Sequence, residues 1–188
     1  MGGEINMDNA ILTVDHAILF CLKNEDYYWR TNAKLEDLDD GAGWTFIGIT
    51  QKYDGKYLKE KHNIDVVGLH KLYQTDKAAA VKIIVNCYDK KYWSNRGFDK
   101  IKSERIAIRL FDLAVNCGFG GLNNIMARAG LGKVFNPDTV NALIENAGEL
   151  AALRQIKAAA LARYKALKGW TRFGKGWSNR LNKDEYSI

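Results

Sequence analysis

Glu25 is the residue of this sequence whose setting best suits proton transfer. Ile11, Val14, Ile18 and Cys21 recur at intervals of three and four, which predicts a helix over residues 8–25 with Asp8 or Asn9 as its N-cap. One further step of four places Glu25 on the same buried face, at the helix C-terminus. Desolvation and the negative end of the helix dipole both raise a carboxyl pKa there, as a general acid near neutral pH requires. The alternative is a glutamate that simply ends the helix in solvent.

The polar residues that follow could complete such a site. Asp39, Asp40, Thr45, Thr50 and Gln51 come soon after Glu25, and Trp44–Thr50 is rich in strand formers, which predicts part of a small β-hairpin. A helix-end glutamate facing a polar hairpin is an arrangement suited to cleaving glycans. Glutamate protonates the leaving oxygen while a second group holds water or the sugar. Asp39-Asp40-Gly41 also reads as a plain turn, and the two readings are compatible. Farther along, Arg105, Arg109, Asp112 and Asn116 form a polar stripe on a helix beginning at Ser103. Asp and Asn inside so apolar a run usually hydrogen-bond backbone or cap a neighbouring helix, with substrate contact as the alternative.

The elements that must position these residues are mainly helical. A polar stretch over 32–43 leads into the hairpin, and Gly55, Asn63 and Gly68 punctuate the next loops. Helices are predicted from Asp76 to Tyr88, from Ser103 to about Cys117 (ended by Gly118, Gly120 and Gly121), from Asn136-Pro137 to about Asn146, and from Glu149 to Lys168. Trp170, Phe173 and Trp177 have the spacing of a helix face packed on a core.

Composition narrows the classes. The 188 residues carry 28 Lys or Arg against 22 Asp or Glu, a net charge of +6. At 47% hydrophobic residues and one proline, Pro137, the chain is globular, and its length suits a single domain. Cys21, Cys87 and Cys117 share no metal-ligand spacing with His16, His62 and His70, so neither a metal nor another cofactor is expected. Cys21 and Cys117 read as buried small hydrophobes. No basic start followed by an apolar run, and no stretch of membrane-spanning length, is seen, so a soluble protein is expected. The basic balance points to an anionic partner. The late basic and aromatic residues could mark a nucleic-acid surface, but no nucleic-acid motif accompanies them, and a solvated helix face is the simpler reading.

Taken together, Glu25-Asp-Tyr-Tyr28 and Asp40-Gly-Ala-Gly-Trp-Thr-Phe-Ile-Gly-Ile-Thr-Gln51 resemble the Glu-Gly-Gly-Tyr and Asp-Pro-Gly-Gly-x-Thr-x-x-Gly-Ile-Thr motifs of glycoside hydrolase family 108. Further matches are Tyr92-Trp93, Phe111-Asp-Leu-Ala-Val-Asn-x-Gly118, Asn136-Pro-Asp-Thr139 and Phe173-x-x-Gly-Trp-x-x-Arg180. The resemblance runs from about Ile11 to Leu181. It departs from the family pattern at Asp26 and Tyr27, where glycines are usual, and at Gly41 and Ala42, where proline and glycine are usual.

That resemblance implies a mainly α, lysozyme-like (α+β) fold with a small β-hairpin near the active site. It implies one domain over 1–188, with the catalytic motifs in 10–95 and a helical region resembling a peptidoglycan-binding part in 96–182. The implied activity is that of an N-acetylmuramidase cutting the β-1,4 bond between N-acetylmuramic acid and N-acetylglucosamine in peptidoglycan. Glu25 matches the family's catalytic glutamate, and Asp40 and Thr45 match the polar groups of its hairpin motif. Tyr28, Thr50, Gln51, Asp112 and Asn116 are the implied substrate contacts. The implied partner is the peptidoglycan glycan strand, met by a monomer without nucleic acid or membrane insertion. The implied setting is synthesis in the cytoplasm, as of a prophage endolysin, and action on the wall after release. The alternative on the same fold is a non-catalytic wall-binding or secretion-accessory protein.

Overall fold

The computed structural model of the chain describes residues 16–24, 33–37 and 41–186. Two compact units divide it: residues 21–95 form one, and residues 96–188 with the segment through Phe20 form the other. Helix α1, residues 16–24, runs from one unit into the other. The predicted start of this helix, and Glu25 itself, lie outside the described residues.

The unit of residues 21–95 is built on three short antiparallel strands in the order β1 (Leu35–Asp37), β2 (Trp44–Phe46), β3 (Ile49–Thr50). β1 falls within the polar stretch that leads into the predicted hairpin, so that hairpin is the second half of a three-stranded sheet. Its β2–β3 turn, Ile47-Gly48, has φ of +49° and +70°. Positive φ at both central residues matches the twist of a two-residue hairpin turn. A β-branched residue rarely takes that conformation, at a cost of about 1–3 kcal/mol. Ile47 is held there by burial of its side chain and by its carbonyl, which accepts the Tyr88 hydroxyl at 2.9 Å.

Three helices follow: α2 (Gln51–His62), α3 (Val66–Thr75) and α4 (Lys77–Tyr88). The last agrees with the sequence reading, its N-cap being Asp76. α2 and α3 correct that reading, because Gly55 and Gly68 lie inside helices rather than in loops. Both glycines make room for a neighbour. A Cβ on Gly55 would stand 2.9 Å from Gln51 Nε2, and one on Gly68 would stand 2.8 Å from Ile64 Cγ1. Asn63 and Asp65 do punctuate the chain, the first as a left-handed C-cap of α2 and the second as the N-cap of α3. Phe46, Ile49, Leu58, Val66, Leu69 and Ile84 form the core of this unit. Each buried side chain of this size contributes about 1.5–3 kcal/mol.

The other unit packs α5 (Glu104–Arg128), α6 (Pro137–Ala147), α7 (Glu149–Lys165) and α8 (Trp170–Asn182). α5 is longer than predicted. Gly118, at φ +67° and ψ 168°, breaks the helical path as expected, but the chain resumes its helix and continues to Arg128. α6 starts as the sequence implies, with the Asn136 side chain accepting from the Asp138 N–H and proline in the first turn. α7 ends at Lys165, three residues earlier than predicted. α8 buries Gly174 and Leu181, whereas Phe173 is 48% exposed and Trp170 and Trp177 are half-buried. The aromatic stripe therefore lies at the edge of the packed face rather than at its centre.

Candidate active site

Antiparallel pairing decides which side chains of the sheet act together. Glu36 is opposite Thr45, and Thr45 is opposite Thr50. Directly opposed residues project to the same face, so Glu36, Thr45 and Thr50 form one polar row across the three strands. The flanking row is Leu35, Phe46 and Ile49, of which Phe46 and Ile49 are buried in the core. The alternation fixes the register, because a slip by one residue would turn the threonines into the core. Thr45 and Thr50, chosen from sequence as neighbours in one motif, are thus cross-strand partners. Glu36 was not singled out in the sequence. Its signal is the period-two pattern Leu35-Glu36, which is too short to read without a paired strand.

Below this row the sheet is tied to α2 and to the turn after α4 by one buried carboxylate. Asp54 accepts the Thr50 N–H at 2.7 Å and the Thr50 hydroxyl at 3.2 Å, and its other oxygen accepts the Tyr92 hydroxyl at 2.8 Å. Thr50 in turn N-caps α2, its hydroxyl oxygen accepting from the Tyr53 N–H. Tyr92 belongs to a π-helical turn, Asp89–Trp93, that extends α4. Burial, then the charge and hydrogen bond of Asp54, hold its phenol well above the usual range. It therefore stays a donor at every physiological pH. Asp54 is the site-supporting residue that the sequence does not disclose, since its partner Tyr92 is 38 residues away.

Gln51 bridges two helices rather than standing alone. Its amide oxygen accepts the Val66 N–H at 3.4 Å, and its side chain lies against Gly55 and Gly43. At the entrance to β2, Gly41 has φ +76° and Gly43 φ +68°. Proline is confined near −65°, so the departure from the family pattern at Gly41 accompanies a backbone that proline could not adopt. Glu25, Tyr28 and Asp40 lie outside the described residues.

Asp112 and Asn116 sit in the other unit. Asp112 is completely buried, and its two oxygens accept from Arg180 at 2.8 and 3.2 Å and from Arg109 at 3.3 Å. Arg109, equally buried, also donates to Glu185 at 2.7 Å and to the carbonyls of Arg180 and Lys183. Arg109 and Asp112 of the α5 stripe are therefore covered by α8 and the segment after it, as a cluster of paired charges. Asn116 is half-buried and donates to the Tyr164 hydroxyl at 2.9 Å. Burial is the main cause that pushes the Tyr164 phenol up to about 12. Cys117, expected to be buried, is half-buried, with its thiol donating to the Leu113 carbonyl at 2.9 Å.

Among the described residues, no group of three or more His, Cys, Asp or Glu is placed to hold a metal ion, and no helix is long and apolar enough to cross a membrane.

Residues 26–118, just under half of the chain, match the profile of the family Glycosyl hydrolase 108. The matched segment contains the whole polar row and Asp54, and begins one residue after Glu25. Among solved structures, the chain is similar to the structure of Brucella abortus SagA, with a TM-score of 0.63 and 20% identity, over 92% of this chain and 91% of that one. At that identity the likeness is one of fold. No curated protein matches the sequence. Residues 26–118 are thus similar to the glycosyl hydrolases of family 108, and the chain has a mainly α, lysozyme-like fold.

Proposed function

We propose that the protein is an N-acetylmuramidase that hydrolyses the β-1,4 bond between N-acetylmuramic acid and N-acetylglucosamine, with Glu25 as general acid. The observation that carries the reading is the polar row Glu36–Thr45–Thr50, set on a rigid sheet inside the family-matched segment that Glu25 directly precedes. In the proposed reaction Glu25 protonates the glycosidic oxygen as the bond breaks. Thr45 holds water or sugar through its hydroxyl, and Asp40 is the second carboxylate near the bond. Tyr28, Thr50 and Gln51 line the path of the glycan. Asp112 and Asn116 act in this scheme through the structure of the second unit. The net charge of +6 favours the anionic wall on which a monomer acts after release.

The products test the assignment. A muramidase creates reducing ends on N-acetylmuramic acid, so borohydride reduction of digested peptidoglycan should yield muramitol. Glucosaminitol would transfer the protein to the glucosaminidases. Peptides released without new reducing sugar, or activity abolished by EDTA, would overturn the glycosidase reading altogether.

A further inference from the structure

The second unit contains a cleft of about 370 Å³ between α5 and the end of α7, lined by Gly120, Gly121, Asn124, Arg128, Arg163 and Leu167. Its arginines differ from the others that this unit brings into charge clusters. Arg105, Arg109 and Arg180 each face an aspartate or glutamate within 4.0 Å. Arg163, half-buried, and Arg128 have no carboxylate partner among the described residues. Two guanidinium groups thus line one concave surface without a counter-charge, and an anion there would relieve their repulsion.

Both groups are held in place. A Cβ on Gly121 would stand 2.9 Å from Arg163 Nη2 and 2.6 Å from Cys117 Sγ, so the bare glycine lets the guanidinium lie against the α5 backbone. Arg128 Nε donates to Asn124 Oδ1 at 2.8 Å, which leaves its terminal amino groups for another acceptor. α5 restarts its helix just after Gly118, so Gly120 and Gly121 lie in the first turn of its second half and Arg128 is its last residue. Planar guanidinium forks are matched to carboxylate and phosphate oxygens, which they can bind in pairs.

We propose that this cleft is a carboxylate-binding subsite that grips the peptide stems of peptidoglycan. The identity of the ligand rests on the wall-hydrolase reading above, while the anion chemistry stands on the cleft alone. Binding here would add affinity and orientation without any role in bond cleavage.

Titration calorimetry at low salt tests it with three probes: a disaccharide–tetrapeptide muropeptide, the same muropeptide with its carboxylates amidated, and inorganic phosphate. Arg128→Gln and Arg163→Gln should each weaken the unmodified muropeptide about tenfold or more, the usual worth of a charged hydrogen bond. Gly120→Asp supplies a competing carboxylate at a position where a Cβ meets nothing within 4 Å, and should do the same, whereas Gly120→Asn should bind normally. Arg154→Gln, on the exposed side of α7, removes the same charge elsewhere and should have little effect. Amidation should abolish the differences. Equal binding by Gly120→Asp, loss equally large for Arg154→Gln, no measurable binding by the parent protein, or a cleft that prefers phosphate would each overturn the proposal. Parallel digestion of sacculi separates the two readings: muropeptide binding without release of reducing sugar would reject the hydrolase and uphold the cleft.

Discussion

Thr50 gives both its backbone N–H and its hydroxyl to the carboxylate of Asp54, at 2.7 and 3.2 Å, one turn into the helix that Thr50 itself caps. The sheet edge and the start of α2 are thereby a single rigid piece, and Tyr92 fastens it to the turn after α4. Rigid support of this kind keeps a polar row in working geometry.

Asp54→Ala should therefore lower stability by about 2–4 kcal/mol, because it strips a helix start and removes the carboxylate that accepts from the half-buried Tyr92 hydroxyl. Chemical denaturation measures the loss. Lytic activity at temperatures where the variant stays folded should fall as well, with turnover affected more than substrate affinity. Unchanged stability would mean that the three hydrogen bonds are not formed together in solution.

Glu25→Gln should remove nearly all lytic activity, by about 10²–10⁴-fold if the residue is the general acid. The melting temperature should hardly change, since glutamine keeps the size of the side chain and its capacity to hydrogen-bond. Turbidity clearing by permeabilised cells within tenfold of the parent would remove Glu25 from the mechanism.

The polar row gives a graded test. Thr45→Val keeps shape and strand propensity but deletes the hydroxyl, and should slow turnover while the protein remains folded. Glu36→Gln should act in the same direction if the exposed glutamate contacts substrate. Asp40→Asn discriminates further, for a larger loss there than at Thr45 favours a second carboxylate over water positioning. Full activity in all three variants would place the cleft elsewhere.

Asp112→Ala should cost about 3–5 kcal/mol, because it leaves Arg109 and Arg180 facing a buried space with part of their negative partner gone. Truncation after Gly169 removes Arg180 and Glu185 together, and should destabilise the second unit comparably by stranding Asp112 and Arg109. Thermal melts check both. A truncated protein that keeps its melting temperature but loses wall binding would make α8 a separable binding element instead.

Tyr164 supplies a pH signature. Its folded pKa, about 12, lies above the usual value of 10, so the neutral phenol is favoured by folding. The associated stability is fully present below pH 10 and disappears as pH rises toward 12, amounting to about 2–3 kcal/mol. Tyr164→Phe should flatten the stability curve over that interval, and denaturation at several alkaline pH values reads the difference.

Local signals made part of this molecule legible from its residues. Asp76 and Asn136-Pro137 announce helix starts because a short polar side chain satisfies N–H groups that the helix leaves open. The run Trp44–Thr50 announces a hairpin through its strand formers, and the motif resemblance agrees with the profile matched over residues 26–118 because both depend on residue order alone. Gly55 and Gly68 misled for a physical reason. Glycine is a helix breaker in isolation, but here each yields space to a side chain packed against it, which no one-dimensional pattern records.

What the sequence by itself determined is the class: helices with a small β element, a basic balance, and the motif residues Glu25, Thr45 and Thr50 in the order of the family pattern. Only the tertiary structure decided which side chains of the sheet share a face and what holds them. Strand register aligned Glu36, Thr45 and Thr50 on one face. Long-range packing brought Tyr92 to Asp54 and closed Arg180 and Glu185 over the α5 stripe. Those pairings join residues tens of positions apart. Their energies come from burial and from charges satisfied at a distance along the chain, and neither exists until the chain has folded.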